Sequence, residues 1–359
     1  MENNLLNISP LPFHKTPIII AGPCSAESLE QTLETARLLK NNGIYLFRAG
    51  LWKPRTKPGA FEGVGNLGLE WLRRVKEKTG MIVATEVATS EHVKCCLATG
   101  INMMWIGART TTNPFAVQEI ADSLQGRDDV VVFVKNPVNP DINLWIGALE
   151  RINNAGVTKL GAIHRGFGTG GQHIYRNVPE WHIAIELHRR YKSLPILCDP
   201  SHMGGKREFI PTLSQQALDM GFDGLFIESH CNPDHALSDS EQQITPTDLA
   251  KIVNSLIIRQ KHSPNEAINT MRRQIDECDN SLIEILNKRM DISRQIGYFK
   301  KEHDMQVVHT NRFDEILINR MKQAQELGMS SEFMKKIMTA IHEESVRQQI
   351  EILNNTNNA

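Results

Sequence analysis

The sequence predicts two folds in series: an α/β region built as a (β/α)8 barrel of parallel strands, then an all-α domain. Three observations carry this. Short apolar runs alternate with helical patterns over about 240 residues. A polar break follows them. Beyond it, apolar residues recur at steps of three and four. A doubly wound sheet is the alternative for the first region, because counting strands does not exclude it.

The candidate strands are Ile18–Ala21, Tyr45–Ala49, Ile82–Glu86, Met104–Ile106, Val131–Lys135, Leu160–Ile163, Ile196–Asp199 and Gly224–Glu228. Helical patterns separate them, for example Leu29–Asn41, Leu67–Lys78 and Trp181–Tyr191. A last helix, Thr247–Ile258, closes the barrel. The stretch Arg259–Asn265, with His262, Ser263 and Pro264, reads as the linker. The expected organisation is therefore a barrel over 1–258, a linker over 259–265 and a helical domain over 266–359. The Asn-rich end, Asn354–Ala359, is expected to fray.

The 359 residues are ample for two domains, and 40% hydrophobic content supports a large core. A net charge of -1 gives no global field that would draw the chain to nucleic acid or an anionic membrane. No apolar run approaches the length of a membrane span, and Met1-Glu2-Asn3-Asn4 lacks the features of a signal peptide. Six cysteines without regular spacing read as reduced thiols, so the expected compartment is the cytoplasm.

The helical region opens on one long amphipathic pattern: Ile268, Met271, Ile275, Cys278, Leu282, Ile285, Ile292, Ile296 and Phe299. The slot between Ile285 and Ile292 holds Arg289. A buried guanidinium needs an anion, either a structural carboxylate or a bound ligand. Lys300 lies about three turns further on the same face; Arg272 is rotated by about 100° and is better placed to reach the site of a second, antiparallel copy.

The residues Met271 to Asp276, Asn287-Lys288-Arg289, Gly297-Tyr298-Phe299-Lys300, Asn311-Arg312 and Glu344 to Gln349 resemble the all-helical chorismate mutases. The resemblance implies an intertwined homodimer that rearranges chorismate to prephenate. It assigns Arg272 (from the partner), Arg289, Lys300, Arg312, Ser345 and Gln349 to that site. It departs at His309 and Phe313, where the family often carries carboxylates near the substrate hydroxyl.

In the barrel, function is expected at the carboxyl ends of the strands. Cys24 follows the first strand, His202 the seventh, Glu228 ends the eighth and Asp239 comes shortly after. Thiolate, imidazole and two carboxylates on one rim suit a divalent transition metal. Singly, each has a plainer reading: Cys24 a core thiol, His202 a helix cap, Asp239 a turn residue. Cations crowd the same rim: Arg48, Lys53, Arg55, Arg109, Lys135 and Arg165. Their mutual repulsion calls for bound anions, two phosphates and a carboxylate rather than one phosphate.

Gly22-Pro23-Cys24-Ser25, Lys53-Pro54-Arg55-Thr56, Ile106-Gly107-Ala108-Arg109, Asp199-Pro200-Ser201-His202 and Ala236-Leu237-Ser238-Asp239 resemble the DAHP synthases, in particular their short barrel form. That family condenses phosphoenolpyruvate with erythrose 4-phosphate at the head of the shikimate pathway. The resemblance implies a divalent metal (Mn, Co, Fe or Zn) on Cys24, His202, Glu228 and Asp239. It implies phosphoenolpyruvate on Arg48, Lys53, Arg109, Lys135 and Arg165, and the sugar phosphate on Arg55 and Thr56. Lys53 is the candidate general acid. A sister family uses arabinose 5-phosphate and usually has Ala-Asn in place of Pro54-Arg55, so the motif here points to the four-carbon sugar. The seven-residue linker spans at most about 25 Å. Prephenate bound at Arg289 and Lys300 is therefore expected to inhibit the condensation; a purely dimerising helical domain is the competing reading.

Overall fold

The structure, a computed structural model, describes residues 6–13, 16–53, 59, 61–168, 170, 173–259, 266–308 and 310–354, with backbone alone for 267 and 310–312. The chain divides into two compact units, 1–261 and 262–359.

The first unit is a closed barrel of eight parallel strands in sequence order, which excludes the doubly wound sheet. The strands are β1 Ile18–Gly22, β2 Leu46–Arg48, β3 Ile82–Val87, β4 Met103–Ile106, β5 Val131–Lys135, β6 Leu160–His164, β7 Ile196–Cys198 and β8 Gly224–Glu228. Closure pairs β1 with β8 in the register Ile18↔Gly224 to Gly22↔Glu228. The helices are α1 Leu29–Asn41, α2 Leu67–Thr79, α3 Ser90–Ala98, α4 Ala108–Thr111, α5 Pro114–Ser123, α6 Ile142–Asn154, α7 Trp181–Arg190, α8 Pro200–Gly204, α9 Ile210–Asp219 and α10 Pro246–Ser255. Helix starts follow capping chemistry. Ser28, Thr89, Asn113, Asp141, Asp199 and Thr245 each accept a backbone N–H of the first turn through the side chain.

Two expected boundaries shift for local reasons. The seventh strand stops at Cys198 because Asp199 turns to cap α8. The last helix stops at Ser255, not Ile258: Leu256 is extended, and the Gln215 side chain bonds both the N–H and the C=O of Ile257.

Strand alternation sorts the core into two layers. Ile20, Leu46, Ala84, Met103, Trp105, Val131, Phe133, Ile163, Leu197 and Phe226 fill the barrel interior. The larger set, including Phe47, Val83, Met104, Val132, Ala162 and Leu225, packs outward under the helices.

Among its described residues the second unit contains three helices, α11 Glu266–Glu302, α12 Thr310–Glu326 and α13 Ser331–Asn354. Both α11 and α12 pack against α13. The contact face of α11 differs from the expected apolar seam. Ser293 and Lys300 are buried, and Gly297 lies against Gln349 and Ile352 of α13. The seam residues Ile268, Met271, Ile275, Leu282, Ile285, Ile292, Ile296 and Phe299 are instead 43–64% exposed. Within the described residues the C-terminal half of α11 packs chiefly against α13, which takes the polar stripe.

Candidate active sites

The barrel site follows from the same alternation. Two residues beyond each interior apolar side chain, the next inward position is polar: Leu46 leads to Arg48, Ala84 to Glu86, Phe133 to Lys135, Ile163 to Arg165, Leu197 to Asp199 and Phe226 to Glu228. Ile20 leads through Gly22 to Cys24. Trp105 leads to Gly107, where a Cβ would overlap the Glu86 carboxylate. The upper interior layer is therefore charged, at the end of the barrel where function is built.

Cys24, Glu228 and Asp239 bring one ligand atom each within 4.8 Å of one another. The Cys24 thiol donates to Asp239 Oδ2 at 3.1 Å, and Lys53 Nζ donates to Cys24 Sγ at 2.9 Å. His202 lies beside this group, not inside it: its Nε2 is 3.7 Å from Glu228 Oε1, and its Nδ1 is 2.8 Å from Asp199 Oδ2. Burial lowers the pKa of His202, against the pull of Asp199. With a proton on Nδ1, which lies 2.8 Å from Asp199 Oδ2, the Nε2 lone pair faces Glu228 Oε1; that oxygen accepts no hydrogen bond among the described residues, although the Arg48 guanidinium lies 3.3 Å from it. Two acceptors facing each other beside a buried thiol fit a shared cation, and the donor set suits a transition metal. Burial first, then Glu228, pushes the thiol up to about 12. Burial opposes the charge on Lys53, but Cys24 and Glu228 outweigh it and its pKa is raised.

The cations are less unbalanced than their spacing implies. Arg48 lies 3.3 Å from Glu228, donates to the Cys24 carbonyl at 3.2 Å, and sits over the rings of Trp105 and Phe226. Lys135 pairs with Asp199 at 2.7 Å. The barrel's own carboxylates thus offset part of the repulsion assigned above to bound anions. Burial lowers the pKa of Lys135 and takes that of Arg165 to about 10, in each case against Asp199. Arg109 is exposed in α4. Arg55 and Thr56 fall outside the described residues.

Several site residues were not anticipated. Asp199 holds Lys135, faces His202 Nδ1 and caps α8 through the His202 N–H at 3.0 Å. Its partners His202 and Lys135 outweigh burial and hold its pKa well below the carboxylate range. Asn136 accepts from the Arg165 N–H, and Asn177 accepts from the Arg165 guanidinium while donating to the His202 carbonyl. Arg176 donates to both Asp239 and Gln242, and Gln242 donates to Glu228. Glu86 and Asp199 were findable by counting inward positions along the strands. Asn177 and Arg176 lie on an irregular loop with no periodicity to betray them.

In the helical unit, Arg289 donates to Ser345 Oγ at 2.7 Å. Among the described residues it meets no carboxylate, and burial lowers its pKa with no anion opposing. Lys300 Nζ donates to the Val307 carbonyl at 2.6 Å and to Gln349 Oε1 at 3.1 Å; Gln349 Nε2 donates to Ser293 Oγ at 3.0 Å. Two cations, Arg289 and Lys300, and three neutral polar side chains, Ser293, Ser345 and Gln349, thus share the α11–α13 face. Arg272 is exposed, on the open N-terminal half of α11. The Arg312 side chain and His309 fall outside the described residues. Phe313 stacks on His342, with ring centroids 4.0 Å apart.

Comparison with known proteins agrees with this geometry. Residues 14–262 match the DAHP synthetase I family, and residues 271–350 match chorismate mutase type II. A phospho-2-dehydro-3-deoxyheptonate aldolase of Thermotoga maritima is 38% identical over 226 residues, 63% of this chain; the match spans 64% of that relative's length. A 2-dehydro-3-deoxyphosphooctonate aldolase of Geobacter metallireducens is 30% identical over 260 residues, 67% of this chain and 90% of the relative. The crystal structure of the Thermotoga maritima DAHP synthase superposes with a TM-score of 0.60 at 34% identity, covering 66% of this chain and 67% of that one. A truncated form of a Thermotoga maritima synthase gives 0.57 at 31%, covering 66% and 83%. With its closed parallel barrel and the charged inner layer above the core, the chain belongs to the DAHP synthetase I family, followed by a segment that matches chorismate mutase type II.

Proposed function

We propose that the barrel condenses phosphoenolpyruvate with erythrose 4-phosphate to give DAHP and phosphate, and that the helical unit rearranges chorismate to prephenate. The observation that carries the first half is the inward layer itself: Arg48, Lys135 and Arg165 surround Cys24, Glu228 and Asp239, with Lys53 2.9 Å from the thiol. Relatives include both heptonate and phosphooctonate aldolases. The Lys53-Pro54-Arg55-Thr56 motif favours the four-carbon sugar.

Cys24, Glu228 and Asp239, with His202 alongside, would hold a divalent ion, which when bound supplies Lewis acidity toward an aldehyde oxygen. Arg48, Lys135, Arg165 and Arg109 would hold the phosphate and carboxylate of the enol, and Arg55 and Thr56 the sugar phosphate. Fixing both reactants removes an entropic barrier that can reach about 7–11 kcal/mol for well-oriented groups. The enol carbon forms the new bond to the aldehyde carbon. Lys53, charged at neutral pH, gives its proton to the aldehyde oxygen as that oxygen becomes a hydroxyl. Water adds to the cationic carbon left behind, and phosphate departs.

In the helical unit the reaction needs no nucleophile, only cations that hold two carboxylates and stabilise charge on the breaking ether bond. Arg289, with Arg312 and with Arg272 from a second copy, would take the carboxylates; Lys300 and Gln349 would face the ether oxygen, with Ser345 orienting Arg289. The open apolar seam of α11 supports a homodimer through that face. Prephenate at the same cations is also proposed to restrain the barrel, in which case the mutase is the weaker role. Among the described residues no helix is long and apolar enough to cross a membrane. A cytoplasmic setting is proposed for the pathway.

The test is direct. Purified protein is given phosphoenolpyruvate with either erythrose 4-phosphate or arabinose 5-phosphate, and phosphate release is followed; chorismate loss is measured separately. Turnover with the four-carbon sugar alone, together with chorismate loss, is expected. A preference for arabinose 5-phosphate overturns the barrel assignment.

A further inference from the structure

The mutase motif leaves one group on the α11–α13 face without a role. His342 stands one turn before Ser345 on α13, and positions 342, 345 and 349 fall within about 60° of each other around the helix. The imidazole therefore shares the face that carries Ser345 and Gln349. From α12, the Phe313 ring stacks against it at 4.0 Å with planes 20° apart, which fixes its orientation. From α11, the Arg289 guanidinium acts on it electrostatically; on its own helix, the Glu343 carboxylate acts in the opposite sense. His342 makes no hydrogen bond among the described residues, although it is partly buried beside two polar side chains that do.

An oriented imidazole, partly out of water and next to an unneutralised guanidinium, is unfavourable as a cation while the site is empty. Burial first, and then Arg289, lower its pKa. A carboxylate entering beside Arg289 reverses that balance: it neutralises the guanidinium and offers the ring an acceptor.

We propose that His342 is a ligand-binding residue of the helical unit, donating a hydrogen bond to an oxygen of a bound dicarboxylate and taking up a proton as it does so. The proposal deepens the reading of this face as an anion site and rests on that reading. Phe313 is then a positioning residue that acts through His342 by the stacking of the two rings.

The experiment uses the full-length protein and prephenate as the probe. Affinity is measured by titration calorimetry near neutral pH in two buffers of different ionisation enthalpy, so that proton uptake is read with the dissociation constant. Wild type is expected to bind with net proton uptake. His342→Ala should weaken binding about tenfold, one charge-assisted hydrogen bond, and lose the uptake. His342→Gln keeps a donor without a titrating ring, and should recover most of the affinity but not the uptake. Phe313→Leu should weaken binding less than His342→Ala. Circular dichroism of each variant establishes that the helices are retained. Arg289→Ala separates the two levels of the argument. If Arg289→Ala abolishes binding while His342→Ala and His342→Gln match wild type in affinity and uptake, the anion site stands and the role of His342 is overturned. If Arg289→Ala binds as wild type does, the anion site falls and this proposal falls with it.

Discussion

Asp199 offers the sharpest test of how the barrel site is held together. Its carboxylate is fully buried, pairs with Lys135 at 2.7 Å, accepts the His202 N–H at 3.0 Å and lies 2.8 Å from His202 Nδ1. Asp199→Asn keeps the shape and the helix cap but removes the charge. Breaking a buried pair from one side typically costs about 3–5 kcal/mol, because the remaining charge is stranded. Lys135 is 4% exposed and already has a lowered pKa, so it can escape part of that penalty by losing its proton. The expected loss is therefore near the lower bound, about 3 kcal/mol. Asp199→Ala also removes the cap of α8 and should cost about 1 kcal/mol more. The sign of the pH dependence follows from the depressed pKa of Asp199. Its contribution is present above the unfolded carboxylate value of about 3.9 and is lost as pH falls through the folded value. The wild-type advantage should thus be full at neutral pH and shrink only in strong acid. Tryptophan fluorescence during urea unfolding reads this cleanly, because all five tryptophans, at 52, 71, 105, 145 and 181, lie in the barrel unit. If the Asn variant unfolds at the wild-type urea concentration, the buried pair is not what holds Lys135. If Asn and Ala are equally damaging, the cap contributes nothing.

Three further outcomes are expected. Mixing Arg272→Ala with Arg289→Ala, each inactive as a mutase alone, should restore part of the activity through heterodimers with one intact site; no recovery after proven subunit exchange would rule out composite sites. Gly107→Ala should push the Glu86 carboxylate aside, costing about 1 kcal/mol for the Trp105 indole hydrogen bond it accepts, and impair condensation; a variant as stable and active as wild type contradicts the close approach. Prephenate should slow the condensation by wild type but not by Arg289→Ala, and equal sensitivity in a chain ended near Ile258 would remove the helical unit as the sensor.

The barrel was legible because its strands are buried on both faces. Runs such as Val131–Lys135 and Gly224–Glu228 fall within the helix-separated pattern and match the structure at both ends. The charged inner layer was half legible. Arg48, Lys135 and Glu228 stood out as charges on apolar runs, but their pairing across the barrel was not. That pairing depends on which strands face each other, so cations that look mutually repulsive in the chain turn out to be partly matched by Glu228 and Asp199. Asn177, which ties Arg165 to His202, was invisible, because a loop amide contacts whatever the fold brings near it. Arg289 was legible as a polar break in an apolar period. The apolar seam was legible, but what covers it was not: periodicity reveals that a helix has an apolar face, not which helix or which molecule packs on it, and within one chain α13 takes the neighbouring polar stripe.

The central claim is that one chain carries a metal-dependent condensation and a metal-independent rearrangement at separate sites. Both rates should be measured on the same purified protein, before and after removal of divalent ions by a chelator, and again after adding single metals back. The account predicts that chelation abolishes phosphate release from phosphoenolpyruvate and erythrose 4-phosphate, that a divalent transition metal restores it, and that chorismate loss is unchanged throughout. Full condensation in verified metal-free protein would contradict the assignment of Cys24, His202, Glu228 and Asp239, and a mutase rate that falls with the metal would contradict the separation of the two sites.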